Sequence, residues 1–220
     1  MIHHAEQRLR EIARGHPAEI PKYLQRGVVD SEVGLEVLLR NEGYEAARYG
    51  FSMVCPTSQP LPEAPLPEGL EVRLVRDEDV RKIMGASDEA FRDHWGHRPP
   101  TEDDLQHWMG DRAFDPSLWV VAWDGDQVAG GVLGYLDQAE NDAHGRKRGY
   151  TECIWVRRPW RRRGLARSLL VQSIAMFVQM GMEEMGLSVD TQNPHGALRL
   201  YESMGYQVER RHTTYRKPLV

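Results

Sequence analysis

Residues Gly34–Pro56 (GLEVLLRNEGYEAARYGFSMVCP) lie without a gap on Gly196–Pro218 (GALRLYESMGYQVERRHTTYRKP), an offset of 162 residues. Gly34/Gly196, Leu38/Leu200, Gly43/Gly205, Tyr44/Tyr206, Arg48/Arg210 and Pro56/Pro218 are identical. Upstream, the same offset sets Ile12-Ala13 on Ile174-Ala175 and Met1 on Arg163. Self-similarity at a fixed offset marks a supersecondary unit used twice. The front copy starts at the equivalent of Arg163, so it holds only the last third of the unit behind it. The chain therefore has to build one full module and a fragment. A fragment of about 55 residues with half a sheet encloses too little apolar surface to stand alone.

The junction between the two is marked by PTSQPLPEAPLPEG (Pro56–Gly69). Its prolines at 56, 60, 62, 65 and 67 exclude helix and central strand. It reads as a semi-rigid spacer with a reach of roughly 40 Å when extended at about 3.1 Å per residue. The expected organisation is a partial repeat in residues 1–56, a linker in 57–69 and the full module in 70–220. In the module, Leu70–Arg76 alternates with the period of a strand, and Asp77 opens a helix through Val80, Ile83, Met84 and Phe91. Thr101 and Asp104 form a capping box for a second helix. Two strands flank the turn at Asp124-Gly125. Tyr150–Val156 is a strand, and Leu165–Met180 is an apolar helix closed by Gly181. A short strand at Gly186–Val189, a helix at Ala197–Met204 and a hairpin of Tyr206–Arg211 with Thr213–Lys217 complete it. This alternation implies an α/β fold with a mixed central sheet and flanking helices.

Bulk properties remove several classes of function. A net charge of −5 gives no global attraction to nucleic acid or to an anionic membrane surface. No apolar run approaches the roughly 20 residues that a spanning helix needs. Two cysteines, Cys55 and Cys153, cannot form a disulfide framework and fit a reducing cytoplasm. The opening MIHHAEQRLREIAR lacks the layout of a signal peptide. No phosphate-loop or dinucleotide fingerprint is present.

The chemistry concentrates in Val156–Ala166 (VRRPWRRRGLA), which joins an apolar strand to an apolar helix. Such a junction turns several free backbone N–H groups toward one point, and the helix dipole adds positive charge there. A diphosphate suits it. Gly164 permits close approach of a ligand, small Ala166 keeps the turn open, and the arginines add charge-assisted contacts. Read alone, the same segment also suits a solvated basic loop or a nucleic-acid patch.

Arg161–Ala166 (RRRGLA) resembles the acetyl-CoA signature Q/R-x-x-G-x-G/A of the GNAT N-acetyltransferase superfamily. Downstream, LSVDTQNPHGALRLYESMGY (Leu187–Tyr206) resembles the strand, Asn, Leu-Tyr helix and Gly-aromatic pattern of the same superfamily. The resemblance covers residues 70–220, and the tandem layout is similar to that of mycothiol-synthase-like proteins. It implies the GNAT acyl-CoA N-acyltransferase fold and transfer of an acetyl group from acetyl-CoA to an amine by direct attack in a ternary complex. It also implies that Ile154, Trp155 and Val156 offer backbone groups to the pantetheine arm. Arg161, Arg162, Arg163, Gly164, Leu165, Ala166 and Arg167 would wrap the diphosphate. Asn193 would hold the pantetheine or the loop beside it, and Tyr201 would act as general acid to the leaving thiolate.

Amine acetylation needs a neutral amine, so a base is useful. Glu152 is the candidate. Alternation puts Tyr150, Glu152, Ile154 and Val156 on one face of their strand, and Thr151, Cys153 and Trp155 on the other. In many members of the superfamily the strand Glu lies where this chain has Tyr150. Cys153 is expected to be a buried, inert thiol facing away from Glu152. His94 and His97 lack further ligands, so no metal is expected. The resemblance implies that Phe91, His94, Trp95 and Trp108 shape the acceptor pocket, and their helical spacing suits ordinary core equally. Asp137, Glu140 and Asp142 read as a solvated acidic loop. The expected partner is a small-molecule or peptide amine, with neither nucleic acid nor membrane, and with homodimerisation through residues 1–56. The rival reading is a non-catalytic acyl-CoA-binding or scaffolding protein. In the front copy Leu39 stands at the place of Tyr201 and Ser31 at that of Asn193, so that copy is expected to be inactive.

Overall fold

The computed structural model describes residues 2–193 and 195–219. Two compact units are formed, one from residues 1–52, 189–194 and 208–220, the other from residues 53–188 and 195–207. These units cut across the sequence boundaries at 56 and 69.

The first unit contains α1 (Ile2–Ala13), β1 (Tyr23–Val29), α2 (Val33–Asn41), most of β2 (Glu45–Pro56), and β8 (Gln207–Pro218). Its strand order is β1-β8-β2, with β1 and β8 antiparallel from Tyr23↔Pro218 to Val29↔His212. Leu24, Val28, Leu39, Tyr44 and Tyr215 are its buried apolar cluster, with Ile2 and Leu35 packed against them. Glu6 of α1 is also buried and accepts hydrogen bonds from Tyr44 (3.0 Å) and Lys217 (3.1 Å). β8 is one continuous strand, which corrects the expected hairpin. The Arg211–Thr213 joint has no Gly, Pro, Asn or Asp to turn on, Thr213 and Thr214 favour extended backbone, and β1 pairs straight across it. β2 and β8 coincide residue for residue at the 162 offset.

The second unit holds β3 (Glu71–Arg73), α3 (Asp77–Phe91), α4 (Glu102–Met109), β4 (Trp119–Asp124), β5 (Gln127–Tyr135), α5 (Gln138–His144), β6 (Arg148–Val156), α6 (Leu165–Gln179), most of β7 (Glu184–Asp190), and α7 (Ala197–Ser203). Its strands run in the order β7-β6-β5-β4-β3, antiparallel except for the parallel β6–β7 pair, so the sheet is mixed as expected. On one face, Val80 and Ile83 of α3 pack on Val121, Trp123, Leu133 and Trp155. On the other, Leu165 and Leu169 of α6 pack on Val120, Ala122, Ala129 and Val132. Phe177 of α6 is fully buried against Gly134 and Gly149, where a Cβ would come within 2.8 and 2.7 Å of its ring. The Thr101–Asp104 capping box forms as read, with Asp104 N–H donating to Thr101 Oγ1 at 3.2 Å.

Residues 57–69 carry neither helix nor strand. They are nonetheless anchored: Thr57 N–H donates to the Glu183 carbonyl at 2.9 Å, and Leu66 packs against the α6-side cluster. The supposed acidic loop is the short helix α5. Asp137 caps it by accepting from Glu140 N–H at 2.8 Å, and Gly145 ends it in the left-handed region. It has no apolar stripe, so hydrophobic period could not disclose it. No helix among the described residues is long and apolar enough to cross a membrane.

Candidate active site

β6 carries the site because its pairing fails on both sides. Against β5 the register runs Tyr135↔Tyr150, Gly134↔Thr151, Leu133↔Glu152, then shifts before resuming at Gly131↔Trp155 and Gly130↔Val156. Val132 thus faces two residues, Cys153 and Ile154, which is a β-bulge. Cys153 takes the strain, with φ at +46°. Against β7 the registered pairs stop at Tyr150↔Gly186, although both strands continue.

The bulge corrects the expected alternation. Glu152 pairs with Leu133 and so shares the α3 face with Tyr150, while Ile154 and Val156 turn to the α6-side cluster and Trp155 to the α3 side. Cys153 is not buried but exposed, yet protein crowds it closely enough to push its thiol up to about 11. An exposed group in such surroundings lies in a concave place. The thiol stays protonated at neutral pH, so its expected inertness has this cause rather than enclosure.

Glu152 sits beside it. Its carboxylate accepts from the Ser188 hydroxyl and N–H and from Cys153 N–H, all of which favour the charged form. Burial outweighs them and raises it to about 7. Tyr201 on α7 is buried, and its phenol is held well above its ordinary value by burial and then by the nearby Glu152 and Cys153. Its ring meets Tyr206 edge-on at 6.1 Å, and Tyr206 is fixed by a 2.7 Å bond to Thr151. No hydrogen-bond partner of the Tyr201 hydroxyl is present among the described residues. The result is a carboxyl that ionises near neutrality beside a phenol that stays protonated, which is the pairing that proton transfer in both directions requires.

After Val156 the chain makes a single 3₁₀ turn (Arg158–Trp160) and enters α6 through Arg162 at φ +61° and Gly164 at φ +84°. The backbone N–H groups of residues 162–167 donate to no acceptor among the described residues. Most of the arginine side chains are occupied elsewhere. Arg161 donates to the carbonyls of Val156 (2.9 Å) and Ala90 (3.1 Å), Arg163 to that of Glu68 (3.2 Å), and Arg167 to Ser203 (2.7 Å). Arg157 and Arg158 pair with Glu89 and Asp93. Of this run, Arg162 alone keeps its guanidinium uncommitted among the described residues. An anion here would meet mainly backbone amides.

Asn193 lies in the turn after β7, its N–H donating to the Asp190 carbonyl at 3.1 Å. It belongs to the first compact unit, whereas the other expected site residues belong to the second. His97 bonds to Asp88 at 2.8 Å, and no group of three or more His, Cys, Asp or Glu side chains suited to a metal occurs among the described residues. Trp108 stacks on Trp119 (5.3 Å) and meets Phe114 edge-on (4.8 Å), half-buried against the α3-side core. Sequence reading missed Ser188, which grips Glu152, and Tyr135, which stacks on Tyr150 at 4.7 Å. Tyr135 belongs to no motif, and Ser188 is an unspecified strand position within the Leu187–Tyr206 pattern, so neither announces its role in the sequence.

A bulged strand here leads into a helix start whose backbone amides are unpaired among the described residues. Residues 80–206 match the sequence model of the Acetyltransferase (GNAT) family, and the chain belongs to that family. It is 31% identical over 72% of its length to a mycothiol acetyltransferase of Propionibacterium freudenreichii subsp. shermanii, covering 49% of that protein. It is 31% identical over 74% of its length to the mycothiol acetyltransferase of Thermobispora bispora, covering 55% of it. The chain thus spans about half the length of these curated relatives. Among solved structures, a GCN5-related N-acetyltransferase from Sphaerobacter thermophilus superposes with a TM-score of 0.80 at 29% identity, covering 99% of this chain and 66% of that one. A tandem GNAT protein from the clavulanic acid biosynthesis pathway shares the fold, with a TM-score of 0.65 at 14% identity and coverage of 97% and 68% of the two chains.

Proposed function

We propose that the chain is an acetyl-CoA-dependent N-acetyltransferase acting by direct transfer, with residues 1–56 a catalytically silent partial repeat. The observation that carries this reading is Glu152, a carboxyl raised to about 7 on the strand that leads into the unpaired amides of residues 162–167. The diphosphate of acetyl-CoA takes those amides. Glu152 removes the proton from the acceptor ammonium. The amine nitrogen attacks the thioester carbonyl, Tyr201 gives its proton to the departing sulfur as the carbon–sulfur bond breaks, and the second proton lost by the nitrogen restores the Tyr201 phenol by way of solvent. No covalent enzyme intermediate forms. Both cysteines are free, in keeping with work in a reducing cytoplasm.

The acceptor is an amine, and the relatives' name puts the unacetylated form of mycothiol among the compounds to test. A free-thiol release assay over small amines, aminoglycosides, peptide N-termini, lysine and that compound tests the reading. Thiol release with none of them, in a protein that binds acetyl-CoA, would favour the non-catalytic alternative.

Two variants sharpen the roles. Tyr201→Phe is expected to lower kcat by about 10²–10⁴-fold with acetyl-CoA affinity nearly unchanged, because the proton is needed only in the transition state. A loss below about tenfold would remove Tyr201 as the acid. Gly164→Val is expected to weaken acetyl-CoA binding strongly. No atom lies within 4 Å of an added Cβ, so the cost comes from a β-branched residue at φ +84° and from the branch beside the amides. Unchanged calorimetric affinity in a folded Gly164→Val variant would move the diphosphate elsewhere.

A further inference from the structure

Basic side chains converge where the loop after β6 meets the segment before α7. Nη1 of Arg161 lies 3.4 Å from Nε2 of His195, and the His195 ring is 6.4 Å from that of His94. Arg158, Arg162 and the carboxylate of Asp93 also act on His195 through space. Asp93 is already gripped by both of its oxygens by Arg158, at 2.6 and 2.9 Å. Arg161 spends its other nitrogens on two carbonyls, and Arg162 has no partner among the described residues. Three guanidiniums, Arg158, Arg161 and Arg162, thus act on His195 alongside Asp93, with His94 as a neighbouring titratable ring. With Glu89, which also acts on Arg158, these cations still outnumber the carboxylates named, and they border the loop whose amides at 162–167 are unpaired.

We propose that His195 is an additional ligand of the coenzyme diphosphate and takes up a proton as that anion binds. This rests on the acetyl-CoA reading above. In the free protein, burial and then Arg161 hold the imidazole below its ordinary value, so at neutral pH it is uncharged. A diphosphate against the loop brings further negative charge and favours the imidazolium. Binding then draws in protons, and by linkage the affinity rises as pH falls. Charging His195 only when the anion is present avoids holding it beside Arg161 as a second cation in the empty site.

The test is calorimetric titration of the full chain with coenzyme A at about pH 6 and about pH 8, in buffers of different ionisation enthalpy, for the wild type and His195→Gln. Coenzyme A's own 3′-phosphate titration is common to both proteins and cancels in their difference. The expected result is proton uptake by the wild type beyond that of His195→Gln, and an affinity gain from the higher to the lower pH about tenfold larger, the equivalent of one unit in the His195 equilibrium. The excess should persist with 3′-dephospho-coenzyme A, and its loss there would overturn the diphosphate assignment in favour of the 3′-phosphate. A His195 that is merely structural would weaken binding equally at both pH values in the variant, and that result would overturn the proposal while leaving the acetyl-CoA reading intact. Failure of coenzyme A to bind the wild type at either pH would overturn both.

Discussion

Glu152→Gln is expected to lower kcat by about 10²–10⁴-fold and to abolish the pH dependence of the remaining rate near neutrality. In the wild type, burial places the Glu152 carboxyl at about 7. As a base it must be ionised, so the rate should climb with pH through that value and level off above it. Glutamine keeps the shape and can still meet Ser188, but it takes no proton. The same shift makes a stability prediction of the opposite sense. A carboxyl whose folded value lies above its ordinary value of 4.5 contributes stability that is full below that value and lost as pH rises through about 7. Glu152→Gln should therefore melt above the wild type at about pH 8, with the advantage gone below about pH 4.5. Paired kinetics and thermal melts across that range check both. A carboxyl that only braces Ser188 would give a lower melting temperature at every pH and an unaltered pH–rate profile, and that outcome would move the base to water or to another group.

How far the sequence could be read depended on whether the interaction was local. The 162-residue repeat, the Thr101 cap, the α6 run ending at Gly181 and the glycine loop before α6 all declare themselves within a few residues. The bulge does not. Tyr150–Val156 alternates without a Gly or Pro to betray an extra residue, and the misfit exists only against Val132 of β5. That one register shift turned Ile154 and Val156 away from the face of Glu152 and brought Cys153 into the open. His195 likewise sits in a segment read for Asn193, and it acquires meaning only from Arg161, 34 residues earlier. β8 shows a different limit. Repeat symmetry makes β1 equivalent to β7 and β2 equivalent to β8, so pattern alone fits β8 equally to either equivalent partner. The structure seats it between β1 and β2, in the unit that the front segment builds.

That seating leads to the second large effect. Deleting residues 1–56 is expected to abolish cooperative folding rather than to release an active module. The truncated chain would keep β8 but lose β1 and β2, its neighbours on both sides. Ladder groups from Gln207 to Pro218 would be left unpaired, a long bare edge of the kind that proteins cover. Of the cluster around Tyr215, the residues Leu24, Val28, Leu39 and Tyr44 all lie in the deleted segment. At about 1.5–3 kcal/mol for each large apolar side chain buried, their loss alone is on the order of 10 kcal/mol. A net stability of about 5–15 kcal/mol does not absorb that. The second unit suffers too, since Met53 and Cys55, both buried, go with the same deletion. Far-ultraviolet circular dichroism and urea unfolding of residues 57–220 beside the full chain would decide the matter. A sigmoidal transition and coenzyme binding in the shortened chain would show that the front segment is dispensable.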